Sequence, residues 1–289
     1  MNVFEIIEQV RSRITLADFL VCLPGLVLLA VWLYRTSLGK NALAGSLPRR
    51  NNMPVYLPFV PLLVWVGIAA IATLIKKALP SDSPDWKLAY FDNMFFCIGS
   101  AAAMTVIILL ARAHFAKRLK GFGLRSKNIF KDFGAGALNL ACIYPVVAFV
   151  LIITMFLGKL MLGPEFEIQK HQQLDVIGRY PQLPVRALII VTTVVVMPAF
   201  EEMLFRGMFQ SMIRSFLSSL SPRRSAWLAI AVSSALFASV HANIYHWPAL
   251  FTLAMCMGYS YERSGSLFRP IFIHSLFNAT SIITVLVST

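Results

Sequence analysis

The chain has 289 residues, of which 58% are hydrophobic and only 13% charged, a balance that excludes an ordinary soluble globular protein. Lys and Arg number 26 against 13 Asp and Glu, which gives a formal charge of +13. In so apolar a chain, membrane orientation explains this excess better than nucleic-acid binding, because cytoplasmic loops collect Lys and Arg. We therefore expect an integral membrane protein in contact with the lipid bilayer, with no nucleic-acid partner.

Eight apolar runs follow one another along the chain, most of them long enough to cross a bilayer core of roughly 30 Å. They lie near Ala17–Tyr34, Tyr56–Ile75, Ala89–Leu110, Ala137–Leu157, Ala187–Leu204, Ala226–Val240, Trp247–Tyr261 and Leu267–Val287. Because a helix satisfies its own backbone in lipid, these runs predict an all-α, polytopic transmembrane bundle of about eight helices. The run from Trp247 is short, so seven spans with one re-entrant segment is the alternative.

Two regions are predicted. Residues 1–135 form an N-terminal transmembrane region that ends in a basic loop, with seven Lys and Arg between Arg112 and Lys131. The simplest interpretation of this loop is contact with anionic lipid head groups. Residues 136–289 form a core that carries polar motifs, and the polar stretch 163–186 within it predicts a short surface helix or a lid. The odd-numbered loops hold 17 basic residues against 9 elsewhere, which places those loops in the cytoplasm.

The segment "EEMLFR" places charges in the fifth apolar run, where Glu201 and Glu202 are the only acidic residues between 187 and 261. Ionisable groups at membrane depth are costly and usually face a protein interior or an aqueous cavity. Glu202 and Arg206 are spaced i,i+4 and can form an ion pair. Glu201 then points to another face without an obvious local counter-charge, a position that suits a general base.

Two further motifs place histidines in the following apolar runs. "FASVH" puts Phe237 and His241 at i,i+4, and "HSLFN" puts His274 and Asn278 at i,i+4 on one face of the last helix. A lone membrane histidine is more often a satisfied interhelical hydrogen bond than a catalyst. A carboxylate, two imidazoles and a carboxamide together, however, form a set that can activate water and stabilise an oxyanion.

Helix length gives a rough depth for each candidate. At 1.5 Å per residue, Glu201 and His241 lie about 24 Å and about 22 Å below the loop that joins their helices, so the two can meet. His274 lies only about 12 Å past the last loop, so helix tilt is needed to bring it across. His246, beside Trp247 in a tight connection, is expected to serve the membrane interface.

The three motifs together resemble the CAAX protease and bacteriocin-processing family, also called the CPBP or abortive-infection family, which includes the type II CAAX prenyl endopeptidases. Its pattern is EExxxR, then FxxxH, then HxxxN or HxxxD, and all three occur here in that order within apolar segments. The resemblance implies that Glu201 and His241 activate the attacking water and that His274 and Asn278 stabilise the oxyanion. It also implies that Glu202, Arg206 and Phe237 support the site structurally.

Metal dependence is left open by the resemblance. Members are often labelled metalloproteases, and one Glu with two His is a plausible zinc set. The HExxH helix of membrane zinc proteases is absent, and the same residues fit a metal-free mechanism. We therefore expect no cofactor and no metal, with zinc as the alternative. The four cysteines lie in apolar runs without paired spacing, which predicts neither a disulfide nor a metal site.

The resulting hypothesis is an intramembrane endopeptidase. Its partner would be a peptide or protein substrate at the membrane, with a prenylated or otherwise hydrophobic terminus as the candidate feature. The compact loops favour a bacterial inner membrane. The alternative is a non-proteolytic immunity, chaperone or scaffold protein that keeps the polar site. A transporter is disfavoured because the sequence shows no inverted repeat.

Overall fold

The computed structural model describes residues 8, 11, 16–46, 48–80, 82–169 and 172–288, and ten helices account for most of them. Eight of the ten are long and coincide with the eight apolar runs, and two are short. In chain order they are α1 (Leu16–Arg35), α2 (Phe59–Lys77), α3 (Asp85–His114), α4 (Arg118–Phe122), α5 (Ile129–Leu162), α6 (Gln172–Arg179), α7 (Leu183–Phe216), α8 (Pro222–Ser239), α9 (Trp247–Ser264) and α10 (Phe268–Ser288). The predicted all-α bundle is confirmed, and no strand occurs in the described ranges.

Five helices are long and apolar enough to cross a membrane, namely α2, α3, α5, α7 and α10. The apolar part of α1, Cys22–Arg35, is shorter. Helices α8 and α9 are less apolar than these five, because serines and charged residues lower their mean hydropathy. Both helices instead bury a face in the bundle, where α9 contributes Leu253, Met257 and Tyr261 to the hydrophobic core.

Helix α7 contains two π-helical stretches, Thr192–Val196 and Met203–Gln210, on either side of Met197–Glu202. In the first stretch the backbone N–H of Met197 donates to the carbonyl of Thr192, five residues back. Such widened turns are frequent at functional sites, and each changes the direction in which the following side chains point. The two glutamates therefore lie on a helix whose side-chain directions differ from those of a regular α-helix.

Helices α7 and α9 are held in register by three polar contacts with the same offset of 48 residues. Arg206 Nη2 donates to the carbonyl of Ala254 at 3.2 Å, and Gln210 Nε2 donates to that of Gly258 at 3.1 Å. Arg214 Nη1 lies 2.9 Å from Glu262 Oε1. Successive contacts are four residues apart on both helices, so α7 and α9 run parallel with one face each in contact. These contacts form a polar ladder through the bundle.

The loops that follow α1, α3 and α7 meet at one end of the bundle. The backbone N–H of Asn52 donates to the carbonyl of His114 at 3.1 Å, and Asn51 Nδ2 donates to Ser215 Oγ at 2.9 Å. Arg49 Nη1 lies 3.4 Å from Glu262 Oε2, which joins the same loop to the end of α9. The N-terminal helices and the motif-bearing helices are thus tied together at this end.

Helix α1 contacts α5 through Gly25. A Cβ atom added at Gly25 would overlap the carbonyl oxygen of Ala141 and would lie 2.8 Å from Cδ of Pro145. Both obstacles belong to rigid groups, a backbone carbonyl and a proline ring, so neither can move aside as a flexible side chain would. The small residue is therefore what allows α1 and α5 to approach closely.

We predict that Gly25→Ala lowers the stability of the protein by about 1–3 kcal/mol, because the new methyl group forces α1 and α5 apart. The measurement is thermal unfolding of the purified protein in detergent. Gly67→Ala is the matched control, since a Cβ atom there meets nothing within 4 Å. Equal melting temperatures for the two variants would contradict the close contact between α1 and α5.

Candidate active site

Glu202 and Arg206 form a buried ion pair on α7. Both side chains have no solvent exposure, and Arg206 Nη1 lies 2.9 Å from Glu202 Oε1. The guanidinium carbon of Arg206 also lies 4.7 Å from the centroid of the Phe237 ring on α8. Its Nη2 donates to a carbonyl of α9, so Arg206 has partners on α7, α8 and α9. A buried charge in an apolar bundle is stable only when it has such partners.

His274 on α10 lies between the two glutamates. Its Nδ1 is 3.1 Å from Glu202 Oε1, and its Nε2 is 3.9 Å from Glu201 Oε2. Because an ionised carboxylate only accepts hydrogen bonds, Nδ1 carries a proton and donates it to Glu202. The depth estimate left the position of His274 open, and the structure brings it directly to the glutamates.

His241 follows the end of α8, which terminates at Ser239, instead of lying within the helix. Its backbone N–H donates to the carbonyl of Ala238 at 3.1 Å, and its ring Nδ1 lies 2.8 Å from the carbonyl of Phe237. The imidazole thus caps a carbonyl that the helix end leaves without its usual donor. Since a carbonyl only accepts, Nδ1 is the donor in this bond.

Phe237 is fully buried and contacts the charged and imidazole groups of the site. Its ring centroid is 4.9 Å from that of His241 and 5.6 Å from that of His274. One aromatic ring therefore spaces the two imidazoles and presents a face to Arg206. This arrangement gives a physical reason for an aromatic residue at the first position of the FxxxH motif.

Asn278, one turn after His274, bonds to the first π-helical stretch of α7. Its Nδ2 donates to the carbonyl of Thr193 at 2.9 Å. In the π register, the backbone donor for that carbonyl would come from residue 198, which is a proline and has no N–H. The Asn278 amide supplies the missing hydrogen bond and ties α10 to α7.

A cavity of about 380 Å³ opens beside these groups. Three of the four predicted catalytic residues line it, namely His241, His274 and Asn278. The rest of the wall is mainly apolar and includes Leu151, Met155, Met197, Leu250, Leu253 and Phe277. Ile168, Gln169 and Leu174 also line the cavity, so the polar stretch 163–186 forms both a short helix, α6, and part of this wall.

Glu201 is linked to the cavity through His274. Thr193 and Met197, the residues eight and four positions before it on α7, line the cavity, whereas Glu201 does not itself form the wall. Its Oε2 is buried and makes no hydrogen bond to any residue in the described part of the chain. A buried carboxylate oxygen without a partner is costly, so it is a candidate for a bound polar group such as water.

His246 lines the same cavity, although its place in a tight connection between helices gave no reason to assign it to the site. Burial lowers the pKa of the His246 imidazole, and a hydrogen bond with the backbone of Gln169 opposes this shift only in part. The ring is therefore neutral at pH 7. It adds a polar wall atom near His241 without adding charge.

The described residues do not present a ready ligand set for a metal. No group of three His, Cys, Asp or Glu side chains among residues 8, 11, 16–46, 48–80, 82–169 and 172–288 has the arrangement of metal ligands. Glu202 Oε1 is already bonded to Arg206 and His274, and the Nδ1 atom of His241 is bonded to a carbonyl. Among the described residues, no third side chain therefore joins Glu201 and His274 in a group arranged as metal ligands.

The motif-bearing segment has relatives among known proteins. Residues 183–280 match the family model described as "Type II CAAX prenyl endopeptidase Rce1-like". This segment contains all three motifs, and its match to a CAAX endopeptidase family model agrees with the resemblance that their order and spacing indicated. With its long apolar helices, the protein is an integral membrane protein, and its motif-bearing segment is similar to a peptidase family.

Similarity to one relative extends beyond this segment. The chain is 22% identical over 242 residues to YdiL of Bacillus subtilis (strain 168), which is provisionally named a membrane peptidase. The alignment covers 81% of this chain and 89% of that protein, so it includes most of the N-terminal helices. No solved structure matches the chain.

We predict that Arg206→Met destabilises the protein by about 3–5 kcal/mol, because it leaves the buried carboxylate of Glu202 without its counter-charge. Unfolding in detergent measures the effect. The double variant Glu202→Gln with Arg206→Met should recover part of the loss, because no uncompensated charge then stays buried.

Lys76→Met is the control for an ion pair in a different environment. Lys76 and Asp92 are 2.6 Å apart, but their side chains are 37% and 52% exposed. Loss of an exposed pair costs no more than about 1 kcal/mol. If Arg206→Met and Lys76→Met have equal effects, the Glu202–Arg206 pair does not hold the site together.

Proposed function

We propose that this protein is an intramembrane endopeptidase that hydrolyses a peptide bond with water activated by Glu201. The observation that carries the proposal is the buried, unbonded Oε2 of Glu201, 3.9 Å from Nε2 of His274, next to a cavity that His241 and Asn278 also line. This distance is too long for a direct hydrogen bond, but one water molecule can bond to both atoms. Similarity to a peptidase family supports the same reaction.

In the proposed first step, Glu201 accepts a proton from water while His241 orients the water from the opposite side. The resulting hydroxide attacks the carbonyl carbon of the substrate and forms a tetrahedral oxyanion. The Nδ1 bond of His241 to the carbonyl of Phe237 fixes the orientation of the ring at the cavity wall, where His241 is proposed to hold the water. Glu202 is the structural partner in this proposal, because Arg206 compensates its charge and both Arg206 and His274 bond to its Oε1.

In the proposed second step, the oxyanion is stabilised and the C–N bond breaks. His274 and Asn278 are the proposed donors for the oxyanion, because both line the cavity and both are held by other bonds. The Nδ1–H of His274 stays on Glu202, so its Nε2–H is the hydrogen proposed to bind the oxyanion. Asn278 uses one amide hydrogen for Thr193, and its second amide hydrogen is the one proposed to bind the oxyanion. The proton held by Glu201 passes to the leaving amine, which restores the carboxylate.

The proposed substrate is a membrane-associated peptide or protein with a hydrophobic segment beside the scissile bond. Leu, Ile, Met, Ala and Phe side chains form most of the cavity wall, so an apolar side chain or a prenyl group fits it better than a charged one. The relative YdiL comes from a bacterium, which supports a bacterial cell membrane as the proposed location. Cleavage rates for a prenylated and an unprenylated peptide of the same sequence would show whether the cavity binds a prenyl group or an apolar side chain.

We predict that Glu201→Gln lowers kcat/KM by about 10²–10⁴-fold, because the amide keeps the shape of the side chain but cannot take a proton from water. The measurement is cleavage of fluorogenic peptides, drawn from a library of family substrates, by purified protein in detergent or liposomes. Glu165→Gln is the matched control, because Glu165 is an exposed residue before α6. Equal turnover by wild type and Glu201→Gln would count against the proposal.

The same Glu201→Gln variant distinguishes a peptidase from the non-proteolytic alternative. A scaffold, chaperone or immunity protein needs the shape of the site and not its proton transfer. Full complementation by Glu201→Gln in cells, with normal expression, would favour that alternative over the peptidase.

We predict that the peptidase activity is unchanged by EDTA or 1,10-phenanthroline, because the described side chains supply the proton acceptor and the oxyanion donors themselves. The measurement is the rate of peptide cleavage after dialysis against chelator. A zinc peptidase assayed in parallel serves as the positive control. Loss of activity that added zinc restores would overturn the metal-free mechanism and support zinc.

A further inference from the structure

A strongly basic surface lies at the end of α3, away from the candidate active site. Five exposed cationic side chains form it, and they are called the basic groove here: Arg50, Arg112, Lys117, Arg118 and Lys120. Two open surface depressions of about 990 Å³ and about 570 Å³ adjoin there and share Arg112 and Arg118 in their walls. Among the residues that the structure describes, no acidic side chain lines either depression.

Backbone hydrogen bonds bring the cations of the basic groove together from two distant parts of the chain. Asn51 and Phe115 form an isolated antiparallel bridge. The N–H of Asn52 donates to the carbonyl of His114, and the N–H of Ala116 donates to the carbonyl of Arg50, both at 3.1 Å. Arg50 is thereby held beside the end of α3 by its backbone, so that its position does not depend on a side-chain partner.

None of the five cations of the basic groove forms an ion pair with a described residue. The neighbouring Arg49 differs, because it turns inward to Glu262 and covers the ring of Tyr261. Like charges held together by the backbone repel one another, and an anion bound among them removes that repulsion. The groove is therefore suited to a ligand with a concentrated negative charge.

An apolar stripe on α3 leads directly into the basic groove. Ile98, Ala101, Thr105 and Leu109 are exposed and follow one another at spacings of three or four residues, and Arg112 comes next in the same row. Ile98 is 47% exposed and Leu109 58%. The Thr105 hydroxyl donates to the carbonyl of Ala101 at 2.8 Å, so it needs no water as an acceptor. Since α3 has the length and composition of a membrane span, this stripe faces lipid.

We propose that the basic groove binds the phosphate of an anionic phospholipid head group, with the acyl chains of that lipid lying along the α3 stripe. The two observations are independent, because the cations require negative charge and the stripe requires a hydrocarbon chain directly below it. A free phosphate ion satisfies only the first requirement. The basic groove is thus a site for one bound anionic lipid and does not depend on the proposed peptidase activity.

The test titrates delipidated wild-type protein in detergent with phosphatidylglycerol or phosphatidylcholine of the same chain length and counts bound lipids by native mass spectrometry. Phosphatidylglycerol should be retained in preference to phosphatidylcholine. The double variant Arg112→Gln with Arg118→Gln should bind phosphatidylglycerol about thirtyfold more weakly, because each of the two cations contributes about fivefold to binding of an anionic lipid. Arg112→Lys with Arg118→Lys should restore the preference.

The matched control is Lys77→Gln with Lys87→Gln. It removes two exposed cations near the end of α2 and the start of α3, far along α3 from the basic groove, and should leave phosphatidylglycerol binding unchanged. If the Arg112 and Arg118 variant does not fold, Arg50→Gln with Lys117→Gln replaces it. Equal retention of the two lipids by wild type, or equal losses in control and test variants, would overturn the proposal. Displacement of the lipid by millimolar inorganic phosphate alone would show a phosphate ion site instead.

Discussion

The buried carboxylate of Glu202 is the constraint on which the candidate site depends. A charge without solvent contact persists in an apolar bundle only where an opposite charge and hydrogen-bond donors surround it. Arg206 and His274 both reach the same oxygen of Glu202, and Arg206 also bonds to α9 and stacks on Phe237 of α8. One buried charge thus joins four helices, and the position of His274 beside Glu201 is a consequence of that arrangement.

Features that depend on neighbours within one helix could be predicted from the sequence. The apolar runs gave the eight long helices, and the i,i+4 spacing of Glu202 and Arg206 indicated their pairing, since both properties follow from the period of a helix. The position of His274 could not be predicted, because it depends on how α10 crosses α7. Rise per residue measures depth along one helix, and it contains no information about tilt or rotation between helices.

Local irregularities were the other limit of prediction. Pro198 is visible in the sequence, but nothing there shows that the turn before it widens to the π register and leaves the Thr193 carbonyl for Asn278. The end of α8 before His241 is a similar case, because the side chain replaces a backbone donor just where the helix stops. His246 reaches the cavity wall from a connection outside all the motifs, so no pattern pointed to it.

Parallel helices in lipid can in principle slide along one another, because hydrocarbon surfaces lack features that define a single vertical alignment. The contacts of Arg206, Gln210 and Arg214 with α9 remove that freedom, since a slip of one residue would strand three polar groups at once. α7 and α9 must therefore move as a single rigid piece. A displacement of the bundle end that holds Glu262 is consequently shared by both helices, including the turn of α7 that carries Arg206.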